Sequence, residues 1–336
     1  YVIWGGVAGL VTLLWFGLEI WQHGWWFVEE FITYQIRLAK TEDAGHGGFL
    51  LYHFVILLLG CYPASWLMWG KVNTADSSSK QRSFRLMMQA SLAVILVVFT
   101  IVQTKIVHYS SFAYFPIGYL AAYQVEAVLD QRTYFKKWQL VGLLITGVIW
   151  GIAFTALPIA GNHPEWLRPL LQKDPFALAN LQAEVSWNYY LILPGLLFLI
   201  SIFIVYYFLR NKQHQKGLLV LCVSCTLVIQ TLLTAFAPRI EQYSQHAAIQ
   251  FFESLKGKDV YVSAIGYKSY APYFYSAVDL KKGPVSYKAD SLLDNPVRKP
   301  AYFISKITEK ERLLDQYPFL TVLYEKNGFV FYLKHP

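Results

Sequence analysis

Long apolar runs recur along the first two thirds of the sequence, and they limit the possible fold more than any other feature. A helix needs about 20 predominantly apolar residues to cross the hydrocarbon core of a bilayer. Charged residues make up only 15% of the chain, whereas about 25% is usual in soluble domains. The pattern predicts a polytopic α-helical membrane protein. Its seven predicted spans are 1–18, 49–70, 86–103, 109–127, 138–158, 189–209 and 217–236.

The net charge of +8 invites a nucleic-acid interpretation, but the positions of the charges argue against it. Lys and Arg mostly flank the apolar runs, as topology signals do. Ten basic residues lie in loops 71–85, 128–137 and 210–216. Five lie in the alternate loops 19–48, 104–108 and 159–188. The positive-inside rule therefore places the first set in the cytoplasm. We expect the second set of loops to face the periplasm or the equivalent outer side.

The last hundred residues differ in character and predict a small α/β domain, 238–336, on the outer side. It would follow a transmembrane domain, 1–237, whose outer loops 19–48 and 159–188 lie at the membrane interface. The predicted elements are helix 239–256, strand 259–264, helix 269–277, strand 301–305, helix 308–317 and strands 320–325 and 329–334. Thr308 and Glu311 have the spacing of a capping box. Asn327-Gly328 between two β-rich runs predicts a hairpin.

The polar stretch Phe27–His53 holds more ionisable groups than a simple connection between spans requires. Its polar residues include Glu29, Glu30, Arg37, His46 and His53, with a flexible Gly47-Gly48 pair. Arg37 offers a planar donor fork suited to phosphate. The two carboxylates can bind a divalent ion or orient a sugar, and His46 can bind metal or shuttle a proton. The alternative is an interfacial amphipathic helix with solvated charges, followed by an interfacial histidine at 53.

A second candidate is the short connection Gln103–Tyr109, which holds Lys105 and His108 near the outer surface of the bilayer. A lipid phosphate there would meet Lys105, His108 and the Tyr109 hydroxyl. Arg37 faces the same side, and two separated cationic elements make a better phosphate site than one. In the alternative interpretation, Lys105 only extends its ammonium group to the membrane interface and binds no phosphate.

These two elements also carry a family resemblance. The pattern F-x-x-E-F-x-x-Y-Q-x-R-L begins at Phe27, and A-G-H-G-G-F and Tyr52-His53 follow it. After two further spans comes T-K-x-x-H-Y, which begins at Thr104 and is followed by Pro116. Over about residues 1–236, the chain resembles bacterial GT-C glycosyltransferases of the dolichyl-phosphate-mannose protein mannosyltransferase-like superfamily. That superfamily includes the lipid A aminoarabinose transferase, so the resemblance implies a multi-pass protein of the bacterial inner membrane with its C-terminal domain in the periplasm.

The resemblance implies transfer of a sugar from a polyprenyl phosphate to a glycan, lipid or protein acceptor on the outer face, with inversion. It implies donor-phosphate contacts from Arg37, Lys105 and Tyr109, and we add His108 from the same motif. We predict substrate contacts from Glu29, Glu30, Tyr34, Gln35, His46 and His53. The aminoarabinose transferase has a metal-binding histidine where this chain has Tyr34 and Gln35, so a requirement for a divalent cation stays open.

Members of the family commonly have about thirteen spans, with the catalytic aspartate in an amino-terminal outer loop. The present seven spans would be the last ones, so we expect that aspartate to precede Tyr1 and identify no general base here. Two other classes stay open: a flippase or transporter of lipid-linked substrates, and a non-catalytic membrane scaffold. Transporters often place polar residues at the membrane midplane. Here the ionisable groups gather in the outer loops, which favours chemistry at the surface.

Overall fold

The computed structural model describes residues 2–41, 47–70, 78–277 and 289–336. The helices of the first half are α1 (Val2–His23), α2 (Trp26–Lys40), α3 (Tyr52–Gly60), α4 (Ala64–Leu67), α5 (Ser79–Ile101), α6 (Tyr114–Leu129) and α7 (Lys137–Asn162). Those of the second half are α8 (Arg168–Leu171), α9 (Pro175–Asn180), α10 (Ile192–Arg210), α11 (His214–Thr231), α12 (Ala237–Ser244), α13 (His246–Ser254), α14 (Ala271–Tyr275), α15 (Ala289–Asp294) and α16 (Lys310–Gln316). The strands are β1 (Tyr261–Ala264), β2 (Ala301–Lys306), β3 (Thr321–Lys326) and β4 (Phe329–Lys334).

The chain divides into two compact units. The first consists of Tyr1–Ile149 and Ile202–Val220, and the second of Trp150–Ser201 and Leu221–Pro336. The boundaries between the units fall inside the long helices α7, α10 and α11, so each of these helices contributes residues to both units. The predicted boundary between residues 237 and 238 stays a prediction.

Within the described residues, five helices are long and apolar enough to cross a membrane. They are Val2–Gln22, Ser79–Ile101, Lys137–Asn162, Tyr189–Arg210 and His214–Ser244. A polytopic α-helical membrane protein with a small C-terminal α/β domain is therefore confirmed.

The other two predicted spans, 49–70 and 109–127, are built from shorter helices. In the first, α3 ends before Pro63, which has no backbone N–H to continue the helical hydrogen bonds. In the second, a 3₁₀ helix, Val107–Ala113, leads into α6. Both segments join the core of the first unit, which contains Leu57 of α3, Leu92 of α5 and Ile117 of α6.

Close packing between α4 and α7 depends on a glycine. The Trp66 indole nitrogen donates a hydrogen bond to Oγ1 of Thr146 at 2.9 Å. Gly142 lies one turn before Thr146, and a Cβ atom there would overlap the six-membered ring of Trp66. The missing side chain at 142 is therefore what lets the two helices approach.

We expect Gly142→Ala to destabilise the protein by about 2 kcal/mol, because the Trp66 ring must move and strain its hydrogen bond. Gly118→Ala in α6 is the matched control, since no atom lies within 4 Å of a Cβ at that position. Thermal unfolding of the purified protein measures both variants. Equal melting temperatures for the two variants would contradict the packing argument.

The C-terminal sheet has the strand order β1-β2-β4-β3, in which only β1 and β2 are parallel. Helix α13 covers one face through Phe251 and Phe252, which pack with Ile304 and Phe331. Helices α15 and α16 cover the other face, where Leu313 packs against the sheet. The sheet is thus enclosed on both faces, as the predicted α/β domain requires.

Most predicted elements of this domain appear within a few residues of their expected limits. The hairpin is confirmed: Asn327 and Gly328 form its two-residue turn with φ of 49° and 79°. Two positive φ values fit a type I′ turn, which favours Asn-Gly. Helix 239–256 is instead divided at Gln245 into α12 and α13.

The predicted capping box of Thr308 and Glu311 is wrong. A 3₁₀ helix, Ile307–Glu309, precedes α16, so the residue at the N-cap is Glu309. Thr308 already lies inside that helical turn, and α16 has no side-chain cap hydrogen bond.

Candidate functional site

The structure brings the two predicted elements together, joining the end of α2 to the connection after α5. The amide N–H of Gln103 donates to the carbonyl of Ala39 at 3.2 Å. The amide N–H of Thr104 donates to the carbonyl of Leu38 at 3.3 Å, and its hydroxyl donates to the carbonyl of Thr41 at 2.6 Å. The last turn of α2 and the start of the Gln103–Tyr109 motif therefore form one junction.

Helix α2 ends at this junction for local reasons. Thr41 is extended, and both its amide and its hydroxyl donate to the carbonyl of Arg37, at 2.9 Å and 2.8 Å. Leu38 is buried, whereas the residues around it on α2 are exposed. One buried leucine and the hydrogen bonds of Thr104 thus fix the helix end, and most of the helix surface stays accessible.

Arg37 lies beside the junction and is exposed. Its guanidinium carbon lies 5.1 Å from the centre of the Tyr34 ring, three residues earlier on the same face of α2. Glu30 shares that face about 10 Å further along the helix, given the rise of an α-helix. Stacking on Tyr34 limits the orientations of the guanidinium, and its planar fork suits a phosphate group.

Lys105 is only 5% exposed, and its ammonium group is turned into the protein. Its Nζ donates to the carbonyls of Phe99, Thr100 and Val102 at 2.8, 3.0 and 2.6 Å. These bonds use all three ammonium hydrogens and satisfy carbonyls at the end of α5, where a cation is favoured. Burial lowers the pKa of the Lys105 ammonium. Lys105 thus caps α5, and its phosphate-binding role stays a prediction.

Gly48 packs directly on this lysine. A Cβ atom at Gly48 would lie 3.0 Å from Cγ of Lys105 and 3.3 Å from Cδ2 of Tyr52. The backbone at Gly48 therefore approaches the stem of Lys105 closely. The predicted substrate residue His46 lies outside the described residues.

His53 is 1% exposed and joins α3 to the 3₁₀ helix. Its Nδ1 lies 2.9 Å from the hydroxyl of Ser110, which donates to the carbonyl of Val107 at 3.3 Å. The imidazole tautomer decides whether Nδ1 or the Ser110 hydroxyl is the donor in this pair. Nε2 is buried and has no hydrogen-bond partner among the described residues. A substrate contact from His53 stays a prediction, and its ring is enclosed here.

His108 and Tyr109 lie in the 3₁₀ helix that follows the junction. His108 is exposed and Tyr109 is half-buried, with their ring centres 5.1 Å apart. The Tyr109 ring also lies 6.1 Å from that of Phe99, whose carbonyl accepts from Lys105. The predicted site residues that the structure describes therefore divide into an enclosed pair, Lys105 and His53, and an accessible set. The exposed members are Glu29, Glu30, Tyr34, Gln35, Arg37 and His108.

Two residues of this site had no role in the sequence prediction. Thr104 is the first residue of the T-K-x-x-H-Y motif, and its place in that motif was the only sequence signal that it helps to form the junction. Ser110 lies 57 residues from His53, and nothing in the sequence links the two. In the part of the chain that the structure describes, no three His, Cys, Asp or Glu side chains lie close enough to hold a metal ion.

Two solved structures share this architecture. One is ArnT from Cupriavidus metallidurans bound to undecaprenyl phosphate, with a TM-score of 0.61 and 14% identity. The match covers 96% of this chain and 58% of that one. The chain has the ArnT fold. The predicted resemblance is thus confirmed at the level of the fold.

The second structure is the same ArnT in the apo state, with a TM-score of 0.57 and 15% identity over 97% of this chain and 59% of that one. The chain therefore spans a little under three fifths of the length of ArnT. No protein-family model matches the sequence, and no curated protein matches it.

Proposed function

We propose that the chain is part of a membrane glycosyltransferase that transfers a sugar from a polyprenyl phosphate to an acceptor on the outer face. The observation that carries this proposal is the junction of α2 with the Gln103–Tyr109 motif, set in the ArnT fold. One ArnT structure with this fold is bound to undecaprenyl phosphate. The exposed Arg37 beside the junction has the chemistry to hold such a phosphate.

In this mechanism the carrier phosphate is the leaving group. Negative charge grows on its bridging oxygen as the bond to the sugar breaks, and fixed donors aimed at that oxygen lower the barrier. Arg37 would donate through its guanidinium, with His108 and the Tyr109 hydroxyl as further donors. Glu29, Glu30, Tyr34 and Gln35 extend along α2 from the same point and would contact the donor.

Lys105 has a different part in this proposal. Lys105 directly follows Thr104, which forms the junction. Its ammonium group would therefore add positive potential near the proposed phosphate position without contacting the phosphate. Its hydrogen bonds also hold the connection that carries His108 and Tyr109. The acceptor hydroxyl needs a base, and we propose an aspartate from another part of the protein for that role. The donor would enter from the outer leaflet, with the chain oriented by its cytoplasmic basic loops.

The test uses the full-length protein, purified in detergent. Its binding of undecaprenyl phosphate is compared with its binding of undecaprenol, which lacks the phosphate, and sugar transfer from a radiolabelled polyprenyl-phosphate sugar is measured. We expect the phosphate to tighten binding at least about tenfold, as one charge-assisted contact does, and we expect labelled product. Equal binding of the two lipids would contradict the phosphate site. Selective binding without transfer to any acceptor class would favour a carrier-binding scaffold.

A further inference from the structure

The first unit contains a cavity of about 1170 Å³ that the proposed transferase does not use. Residues from two connections line it, the one between α6 and α7 and the one between α10 and α11. Helix α6 starts next to the 3₁₀ helix of the candidate site and ends at this cavity. Its 16 residues separate the two places by about 24 Å, given the rise of an α-helix.

The lining of the cavity is cationic. Lys137, Arg210, Lys212 and Lys216 contribute to it, and no Asp or Glu is among the described residues that line it. All four cations are exposed. Within the described ranges none of the four forms an ion pair. The cavity therefore holds positive charge that no described residue neutralises in an ion pair.

The nearest acidic residues along the chain are already committed elsewhere. Asp130 and Glu126 both pair with Arg132, with N–O distances of 2.9 and 4.0 Å. None of these three residues lines the cavity. Among the described residues, no carboxylate lines the cavity or pairs with its four cations, so a bound anion can supply the neutralising charge.

Two helices begin at the cavity and add to its positive potential. Lys137 is the first residue of α7, and His214, Gln215 and Lys216 are the first three of α11. These helices have 26 and 18 residues. The first turn of a helix leaves N–H groups without intrahelical partners, and the helix dipole favours an anion there.

The apolar part of the lining indicates which anion would bind. This part is formed by Val128, Leu129, Phe135, Leu140, Val141 and Leu209, beside the cationic residues. Three of the helices that are long enough to cross a membrane have one end at the cavity. They are Lys137–Asn162 and His214–Ser244, which begin there, and Tyr189–Arg210, which ends there. Span ends lie at headgroup depth. Cations and apolar residues side by side at that depth match a lipid phosphate with its acyl chains attached.

We propose that this cavity binds the phosphate headgroup of an anionic membrane phospholipid. The site is distinct from the donor site, and it lies on the opposite face if the basic loops are cytoplasmic. Phosphatidylglycerol is the suitable probe, because its phosphate gives the headgroup a net negative charge, whereas the choline cation of phosphatidylcholine cancels that charge. A soluble phosphate compound has the same headgroup chemistry, so glycerol phosphate is tested beside the lipid.

The experiment uses native mass spectrometry to measure the binding of phosphatidylglycerol, phosphatidylcholine and glycerol phosphate to the full-length protein. The same measurements are made on a double variant that combines Lys212→Gln and Lys216→Gln. Each cation near a lipid phosphate changes the affinity roughly fivefold. We therefore expect the double variant to bind phosphatidylglycerol about 25-fold more weakly, with phosphatidylcholine unaffected. The control is Lys80→Gln, an exposed lysine of α5 that does not line the cavity.

Three outcomes would overturn the proposal. In one, phosphatidylglycerol and phosphatidylcholine bind the parent protein equally. In another, the Lys80 control loses as much affinity as the double variant. In the third, glycerol phosphate binds as tightly as the lipid, which would assign the cavity to a soluble phosphate compound. A further check needs no variant, because added NaCl should weaken phosphatidylglycerol binding to the parent protein, and binding independent of salt would exclude a cationic site.

Discussion

Arg37→Ala is expected to slow sugar transfer by the full-length protein roughly 10²-fold, the loss seen when a preorganised donor is removed from a developing charge. Arg37 is exposed at the end of α2, so its replacement removes no core contact. Arg37→Lys should recover only part of the rate, because lysine keeps the charge but not the planar pair of donors that stacks on Tyr34.

Transfer of a radiolabelled sugar, measured at several donor concentrations, checks this result. Loss of a contact that forms mainly in the transition state lowers kcat, whereas loss of uniform donor binding raises KM. Lys40→Ala is the matched control, an exposed cation three residues further along the same helix. Full turnover by Arg37→Ala would show that the phosphate is held elsewhere.

Lys105→Met is expected to lower the free energy of unfolding by roughly 3 kcal/mol, since hydrogen bonds to a charged group contribute about 1.5–3 kcal/mol each and part is offset by desolvation. Methionine has a similar length and fills the same space. It leaves the carbonyls of Phe99, Thr100 and Val102 without their donor. The last turn of α5 should then fray, and the connection that carries His108 and Tyr109 with it.

Thermal unfolding and undecaprenyl phosphate binding, measured on the same variant, separate the two possible roles of Lys105. A capping lysine predicts a lower melting temperature, with binding partly restored on cooling. A lysine that contacts the phosphate predicts weaker binding at every temperature and an unchanged melting temperature. Lys40→Met serves as the control, because Lys40 is exposed.

Much of the fold could be predicted from local sequence patterns. Apolar runs identify membrane helices because the bilayer permits few other structures, and Asn327-Gly328 identified its hairpin because few residues tolerate two positive φ values. The capping box at Thr308 failed because the same residues begin a 3₁₀ turn one position earlier. A short motif of that kind does not determine where the first helical turn starts.

The candidate site was predictable in composition but not in geometry. Arg37 and the Gln103–Tyr109 motif were visible as polar groups between apolar runs. The inward turn of Lys105 was not, because it depends on where α5 ends and on how the chain bends back over that end. The enclosure of His53 likewise depends on Ser110, and the cationic cavity on two connections far apart in sequence.

The junction between α2 and the connection after α5 is held largely by main-chain atoms. Two of the three hydrogen bonds described for it, from Gln103 to Ala39 and from Thr104 to Leu38, run from amide to carbonyl and need no particular side chain. Almost any residue can occupy those positions without loss of the bonds. Such a joint leaves the surrounding side chains free to vary, and the architecture here persists at 14% identity to ArnT. Substitutions can then accumulate around a joint that main-chain hydrogen bonds largely keep in register.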